Sequence, residues 1–105
     1  MIAAPFGTAF EIKLPMTDNL TVTNAATNIV IGTSGLSGGK TLTLPSIAQM
    51  VASQNYFIQV TNASGAGGTI TVAANSADSI VGQTAVLVAT GVRFYHDGLH
   101  TWYTA

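Results

Sequence analysis

The feature that most constrains the fold of this 105-residue chain is a series of short segments in which residues alternate between two sets, one of them mainly apolar. Three segments show the alternation clearly: 56–61, 69–73 and 92–97. A period of two is typical of β-strands that bury one face. Runs of glycine, asparagine and serine separate the segments, as turns separate strands. The pattern predicts an all-β domain, either an antiparallel β-sandwich or a jelly-roll-like barrel, with one short helix.

The connections between these segments give further expectations. Residues 33–39 are small and flexible, and they predict a loop long enough to cross between sheets. Residues 62–68 predict a wide turn that joins 56–61 to its partner strand, 69–73. A helix is predicted over 46–53, where apolar residues recur with helical spacing after a serine that can cap. No sequence repeat of fixed period is evident.

The chain ends in a predicted hairpin around Asp97 and Gly98, a dipeptide typical of tight turns because glycine accepts a positive φ. Trp102, the only tryptophan, follows in the next strand. One indole can fill much of the space inside a small β domain, so we expect Trp102 to fill the core. Gly82 predicts another turn, after the short strand that begins at Asp78.

An extended N-terminal arm is predicted over residues 1–18, followed by a single β domain over 19–105. Two prolines in the arm remove backbone donors and favour extended structure. The apolar side chains of the arm need burial, and either the core of this domain or a neighbouring subunit satisfies that need. The candidate contacts with a subunit or a capsid are Phe6, Phe10, Ile12 and Leu14.

Charged residues make up 7% of the chain, against about 25% in a typical soluble domain. So little charge gives weak protection against association, which indicates a surface covered by partners. The other interpretation is that threonine, serine and asparagine hydrate a free surface. The net charge of −1 marks no phosphate-binding face, so we expect no nucleic-acid partner. No targeting segment or transmembrane helix is predicted, and we expect no membrane partner.

Few side chains suggest catalysis. His96, Asp97 and His100 surround one turn and could bind a metal, but turn chemistry already accounts for the aspartate. Gly39-Lys40-Thr41 lacks the first glycine of a phosphate loop, because position 34 is serine. The acidic residues are scattered rather than paired, and neither histidine lies in a recognisable catalytic motif. We therefore expect no enzymatic activity, no metal site and no cofactor.

A set of motifs follows in order within 41–103: LTLPS at 42–46, FIQVTN at 57–62, GTITV at 68–72, DSIVG at 78–82, and Asp97-Gly98 with Trp102 downstream. In this order the chain resembles a β-rich module of tailed-bacteriophage structural proteins, among them tail-fibre, head-fibre and capsid decoration proteins. The resemblance covers somewhat over half of the chain. One difference lies in the closing turn, because the module commonly reads Asp-Gly-x-x-Trp and this chain has a longer spacing.

The resemblance implies a structural role, usually in trimers. A small module is expected to fit a capsid decoration (cement) protein better than a long fibre. Such a homotrimer would be made in the bacterial host cytoplasm, bind the phage major capsid protein on the outer capsid surface of the virion, and stabilise contacts between capsomers. The alternative is a tail-fibre, spike or head-fibre module that binds a host receptor or glycan, with Tyr95, Tyr103 or the histidines stacking on sugar.

Overall fold

β-Strands form most of the structure, a computed structural model that describes residues 11–23, 27–48, 57–63 and 65–104. The strands in these residues are β1 (Glu11–Met16), β2 (Leu20–Thr21), β3 (Thr27–Gly32), β4 (Lys40–Thr43), β5 (Phe57–Asn62), β6 (Ile70–Ala73), β7 (Ser79–Val81), β8 (Ala85–Val86), β9 (Thr90–His96) and β10 (Thr101–Thr104).

The helix predicted over 46–53 is not seen among the described residues. Helical backbone there is limited to Ile47 and Ala48, and 49–53 lies outside the described residues. The Ile47 N–H donates to Asp78 Oδ2 at 3.1 Å, so a carboxylate from a distant part of the chain fixes the backbone at Ile47. In the part of the chain that the structure describes, no helix is long and apolar enough to cross a membrane.

The strands form two mixed sheets. The large sheet has the order β1-β3-β5-β9-β10-β7, and the small sheet has the order β2-β4-β6-β8. Among the described strands five pairings are parallel, and the antiparallel ones are β5–β9, β9–β10 and β6–β8. The all-β expectation is confirmed, whereas the expectation of antiparallel sheets is wrong. The reason is that the early strands pair with the strand two positions along the chain rather than with their sequence neighbour.

The two glycine-rich connections have the same role. Residues 33–39 lead from β3 in the large sheet to β4 in the small sheet, which confirms the predicted crossing. Residues 63–69 lead from β5 to β6 in the same way, so the expectation that 62–68 pairs the flanking strands with each other is wrong. A glycine-rich connection of this length suits a wide hairpin and a crossing between sheets equally well, and only the destination of the chain distinguishes them.

These two crossings, β3 to β4 and β5 to β6, stack in a fixed register of 30 residues. In the large sheet Asn28 pairs with Ile58, and in the small sheet Lys40 pairs with Ile70. The loops between them also stack, because Ser37 forms a parallel bridge with Gly67. The chain therefore contains a structural repeat that no evident sequence repeat accompanies. Sequence identity between the two copies is sparse: Val30 and Val60, Ser34 and Ser64, Gly35 and Gly65, Gly38 and Gly68, Thr41 and Thr71, and Ser46 and Ser76.

Corresponding backbone hydrogen bonds support the repeat. The Leu36 N–H donates to the Thr33 carbonyl at 2.9 Å, and 30 residues later the Ala66 N–H donates to the Ala63 carbonyl at 3.0 Å. The Gly67 N–H then joins the two loops by donating to the Leu36 carbonyl at 2.8 Å. These backbone bonds hold the two loops against each other and satisfy some of their polar backbone groups.

The core contains apolar residues from both sheets. In the large sheet an inward line of branched residues crosses four strands, from Leu14 through Val30 and Val60 to Val92. The small sheet contributes Leu42 and Val72, which are paired in register. Aligned inward positions of this kind stabilise a sheet through contacts between neighbouring strands. The buried hydrophobic residues are Met16, Val22, Val30, Leu36, Leu42, Leu44, Ile47, Ile58, Val60, Ile70, Val72, Val86, Val92, Phe94 and Trp102.

Replacing Gly68 by alanine is expected to lower the free energy of unfolding by about 1–3 kcal/mol, because the new methyl group overpacks a rigid contact. A Cβ atom at Gly68 would meet the carbonyl group of Gly38, which is backbone and cannot rotate away. Gly39 is the matched control, because the nearest atom to its Cβ position is the Thr69 carbonyl oxygen at 3.8 Å, an ordinary distance. Urea unfolding of the two variants measures the difference, and equal midpoints would contradict the close stacking of the loops.

Candidate partner-binding face

The outer face of the large sheet carries a line of apolar side chains that crosses four strands. Phe57 in β5 is in register with Tyr95 in β9, Tyr95 with Tyr103 in β10, and Tyr103 with Val81 in β7. We call these four residues the aromatic row. The exposed fractions of Tyr95, Tyr103 and Val81 are 38%, 45% and 56%. Contiguous exposed apolar surface on a small protein often marks an interaction site.

Arg93 lies beside the aromatic row and is held by three neighbours. Its guanidinium carbon lies 4.7 Å from the centroid of the Phe57 ring, a cation–π distance. Its Nε donates to Gln59 Oε1 at 3.0 Å, and its Nη1 lies 3.5 Å from the Tyr95 hydroxyl. The Phe57 and Tyr95 rings are themselves in contact, with centroids 6.0 Å apart and a tilt of 51°. We call Arg93, Gln59, Phe57 and Tyr95 the Arg93 cluster.

Two cations lie in one cross-strand line of this face. Arg93 has no carboxylate within ion-pair distance in the described part of the chain. Lys13 is in the same cross-strand line as Arg93, joined through Ile29 and Gln59, and is exposed. Three strand spacings separate the two cations, a distance of roughly 14 Å. Among the described strand residues, the side chains on this face are therefore apolar, neutral polar or positively charged.

The carboxylates whose side chains are described each contact a neighbour. Asp18 Oδ1 lies 3.5 Å from the Lys40 ammonium, and the pKa of this carboxyl is lowered by the backbone N–H of Asn19 and then by Lys40. The Asp78 side chain is 3% exposed and accepts from the Ile47 N–H. Asp97, directly after β9, uses one oxygen to order the closing turn. The exposed Asp18 and Asp97 carboxyls have lowered pKa values and therefore keep their negative charge.

The outer face of the small sheet differs in character. Its outward positions are threonines and alanines: Thr21, Thr43 and Ala73 form one cross-strand line. The next line joins Thr41, Thr71 and Ala85. Threonine hydroxyls are hydrated readily and need no partner, so this face suits contact with water. The difference between the two faces identifies the large sheet as the candidate binding surface.

The closing turn is built by Asp97 and Gly98. Asp97 Oδ1 accepts hydrogen bonds from the backbone N–H groups of Leu99, His100 and Thr101 at 2.7, 3.1 and 3.2 Å. The donors at Leu99 and Thr101 contribute most to lowering the pKa of the Asp97 carboxyl. Gly98 has φ of 81°, the left-handed region that glycine favours. The spacing longer than Asp-Gly-x-x-Trp is thus accommodated by a wider turn folded around one carboxylate.

Trp102 and His96 are buried together beside that turn, whereas His100 is exposed. The Trp102 side chain is fully buried, and its ring meets the buried His96 ring edge-on with centroids 5.2 Å apart. His96 Nδ1 accepts from the Gly98 N–H at 3.0 Å. The exposed His100 instead lies with Nδ1 3.6 Å from Asp78 Oδ1. Within the described residues no group of three or more potential ligands could hold a metal ion.

The remaining predicted residues are divided between turns, strands and the undescribed start of the chain. Gly82 has φ of 118°, and a Cβ there would meet the Thr104 side chain. Leu14 is half-buried and packs against the core from β1, an edge strand of the large sheet. Ile12 also lies in β1. Phe6 and Phe10 lie outside the described residues.

Sequence reasoning missed the Arg93 cluster as a unit. Strand alternation places Arg93 and Tyr95 on one side of their strand, and Phe57 and Gln59 on one side of theirs. Whether the two pairs meet depends on which strands are neighbours and in what register. The register that joins Phe57 to Tyr95 is a property of the folded sheet.

No protein-family model matches this chain, and the searches found no significantly similar curated protein or solved structure.

Proposed function

We propose that this chain is a bacteriophage capsid decoration (cement) protein that binds the outside of the head as a homotrimer and stabilises contacts between capsomers. The observation that supports it most is the outer face of the large sheet. This face presents the aromatic row and an organised arginine, and no described part of the chain covers it. Protein interfaces are enriched in tyrosine, phenylalanine and arginine and depleted of lysine and acidic residues.

Composition supports the same proposal. A chain with 7% charged residues has weak protection against association in free solution, and burial of its uncharged faces against copies and a shell removes that difficulty. The two mixed sheets, packed on each other as a sandwich, supply such faces in this proposal. The order of the motifs between 41 and 103 adds the resemblance to phage structural modules.

The mechanism of cementing is linkage. A protein that binds the assembled, expanded shell and has no affinity for separated subunits stabilises the shell by mass action. At a free concentration one hundred times the dissociation constant, each bound site adds about 2.7 kcal/mol. Many sites on one head add up, so a modest affinity suffices to raise the temperature at which the head ruptures.

The test adds purified protein to phage heads that lack it. We expect saturable uptake and a higher temperature of thermal rupture, both measured against heads given an equal concentration of an unrelated protein. Sedimentation of the free protein is expected to give a trimer. Heads that take up none of the protein, or that take it up and rupture at the same temperature, would rule out the cement function.

A second candidate function is supported by the aromatic row itself. Exposed tyrosine rings such as Tyr95 and Tyr103 can also stack on sugars, as expected of a tail-fibre, spike or head-fibre module that binds a host receptor or glycan. Glycan binding by the isolated protein, together with no affinity for heads, distinguishes this function from the first.

A further inference from the structure

We propose that the Arg93 cluster is the site at which this protein binds a partner protein, and that it recognises an aspartate or glutamate side chain of that partner flanked by apolar residues. The inference deepens the proposed function and rests on it in one respect, because it takes the partner to be the shell protein. It assigns the contact to one face, the outer side of the large sheet, and to one ion pair within that face.

The geometry of Arg93 favours a carboxylate. A guanidinium has five N–H donors, and the described neighbours use two of them. The guanidinium carbon lies 4.7 Å from the Phe57 ring centroid, and the Arg93 side chain is exposed, so three N–H donors are left for a partner. A carboxylate of the partner can accept from two such N–H groups at once. A lysine in place of Arg93, or a neutral amide in place of the carboxylate, cannot form the same pair of bonds.

The cluster also reduces the cost of binding. An exposed arginine normally loses rotamer freedom when a partner immobilises it. Here Gln59, Phe57 and the Tyr95 hydroxyl already restrict the side chain before any partner arrives. The apolar rings beside it exclude water from the ion pair once the partner is seated, which strengthens the pair. Tyrosine and arginine in this arrangement are the residue types in which binding energy concentrates.

Charge favours a different protein over a second copy of this chain that meets this face with its own. The charged side chains described in the strands of this face, Arg93 and Lys13, are both cations. Two copies joined face to face would therefore bring like charges together, whereas a carboxylate of another protein complements them. In this proposal the contacts between copies in the trimer use other surfaces.

The test measures uptake by heads that lack the protein, using wild type, Arg93→Gln, Arg93→Lys and the control Lys40→Gln. We expect Arg93→Gln to weaken binding by about 30-fold or more, the loss typical of removing one member of a buried charge pair. Arg93→Lys keeps the charge and loses the paired geometry, so about a tenfold loss is expected. Lys40→Gln removes the same charge from the small sheet and is expected to change affinity by less than about threefold.

Two further measurements keep the outcomes separate. Urea unfolding checks that the variants are folded. If Arg93→Gln does not fold, the ion pair is tested with the wild type instead, whose uptake is expected to weaken as the salt concentration rises. Binding to immobilised polygalacturonate, an acidic polysaccharide, is measured beside binding to neutral dextran. Heads that bind Arg93→Gln as tightly as wild type would overturn this site and leave the cement function standing. Absence of wild-type uptake would remove the cement function, and Arg93-dependent binding to polygalacturonate alone would replace the protein partner with an acidic glycan.

Discussion

Replacing Trp102 by alanine is expected to lower the free energy of unfolding by about 3–5 kcal/mol, the range found when a large buried aromatic side chain is truncated. The indole is fully buried between the β9 and β7 neighbours of its strand. It is in register with Ile80 on one side and with His96 on the other. Removing it leaves a cavity beside the His96 ring, and the close-packed core around it relaxes only in part.

A loss of this size is large for one small domain, whose whole stability is typically about 5–15 kcal/mol. Urea unfolding measures this loss. An unchanged slope of the unfolding free energy against urea concentration shows that the variant still unfolds in one step. Tyr103→Ala is the matched control, because Tyr103 is the next residue and points to the outer face. We expect the control to cost less than about 1 kcal/mol. Equal losses in the two variants would contradict the assignment of Trp102 to the core.

Strand alternation in the sequence predicts which side of each strand faces the core. In β9 the set Val92, Phe94 and His96 is buried, while Arg93 and Tyr95 are exposed. The period of two predicts the buried side correctly here. A shift of the strand by one residue would exchange the two sets and bury arginine in place of phenylalanine, which is costly. The same reasoning places Trp102 inside and Tyr103 outside in β10.

Alternation does not reveal which strands pair or in which direction. Parallel and antiparallel strands share the same side-chain period, so the pattern in 56–61 and 69–73 is compatible with a hairpin and with two different sheets. The chain adopts the second arrangement, because the loop 63–69 stacks on 33–39 and carries β6 into line with β4. Such stacking depends on backbone groups and on small residues, which leave few identities in the sequence.

The Arg93 cluster could not be predicted either, because it too depends on which strands pair. Arg93, Phe57 and Gln59 come together across the β5–β9 pairing, which joins residues about 34 positions apart in the chain. No local motif marks such a site. The available signal was compositional: Arg93 is one of only three lysine and arginine residues, and Phe94 and Tyr95 follow it directly.

One inward position departs from the apolar pattern and shows how the stacked loops are held. Asn62 is buried at the end of β5, where the preceding copy of the repeat has Gly32. Its Nδ2 donates to the Gly68 carbonyl at 2.8 Å and to the Val86 carbonyl at 3.1 Å. One side chain thus joins the glycine loop to β8. A Cβ atom at Gly32 would meet Asn62 Oδ1, so the glycine provides the space that the amide occupies.

Replacing Asn62 by aspartate is expected to lower the free energy of unfolding by about 3–5 kcal/mol at neutral pH, the cost of leaving a buried charge uncompensated. The substitution keeps the shape of the side chain and removes the amide N–H groups. It places a carboxylate against the carbonyl oxygens of Gly68 and Val86, which repel it. Burial and these two oxygens raise the pKa of the introduced carboxyl in the folded state, because both disfavour its charged form.

The raised pKa of the introduced carboxyl determines how the stability of Asn62→Asp depends on pH. Between the pKa of an unfolded aspartate, about 3.9, and the higher folded value, the folded state holds more protons, so the unfolding free energy falls as pH rises. The deficit against wild type is therefore expected to be smallest below about pH 3.9 and to grow as pH increases through the folded pKa. Asn75→Asp is the control, because this residue is partly exposed and its Oδ1 accepts from the Ala77 N–H, a role that a carboxylate performs equally well. Urea unfolding of both variants from pH 3 to pH 8 measures the difference, and a deficit at Asn62 that does not change with pH would show that the introduced carboxyl is not held between these two carbonyls.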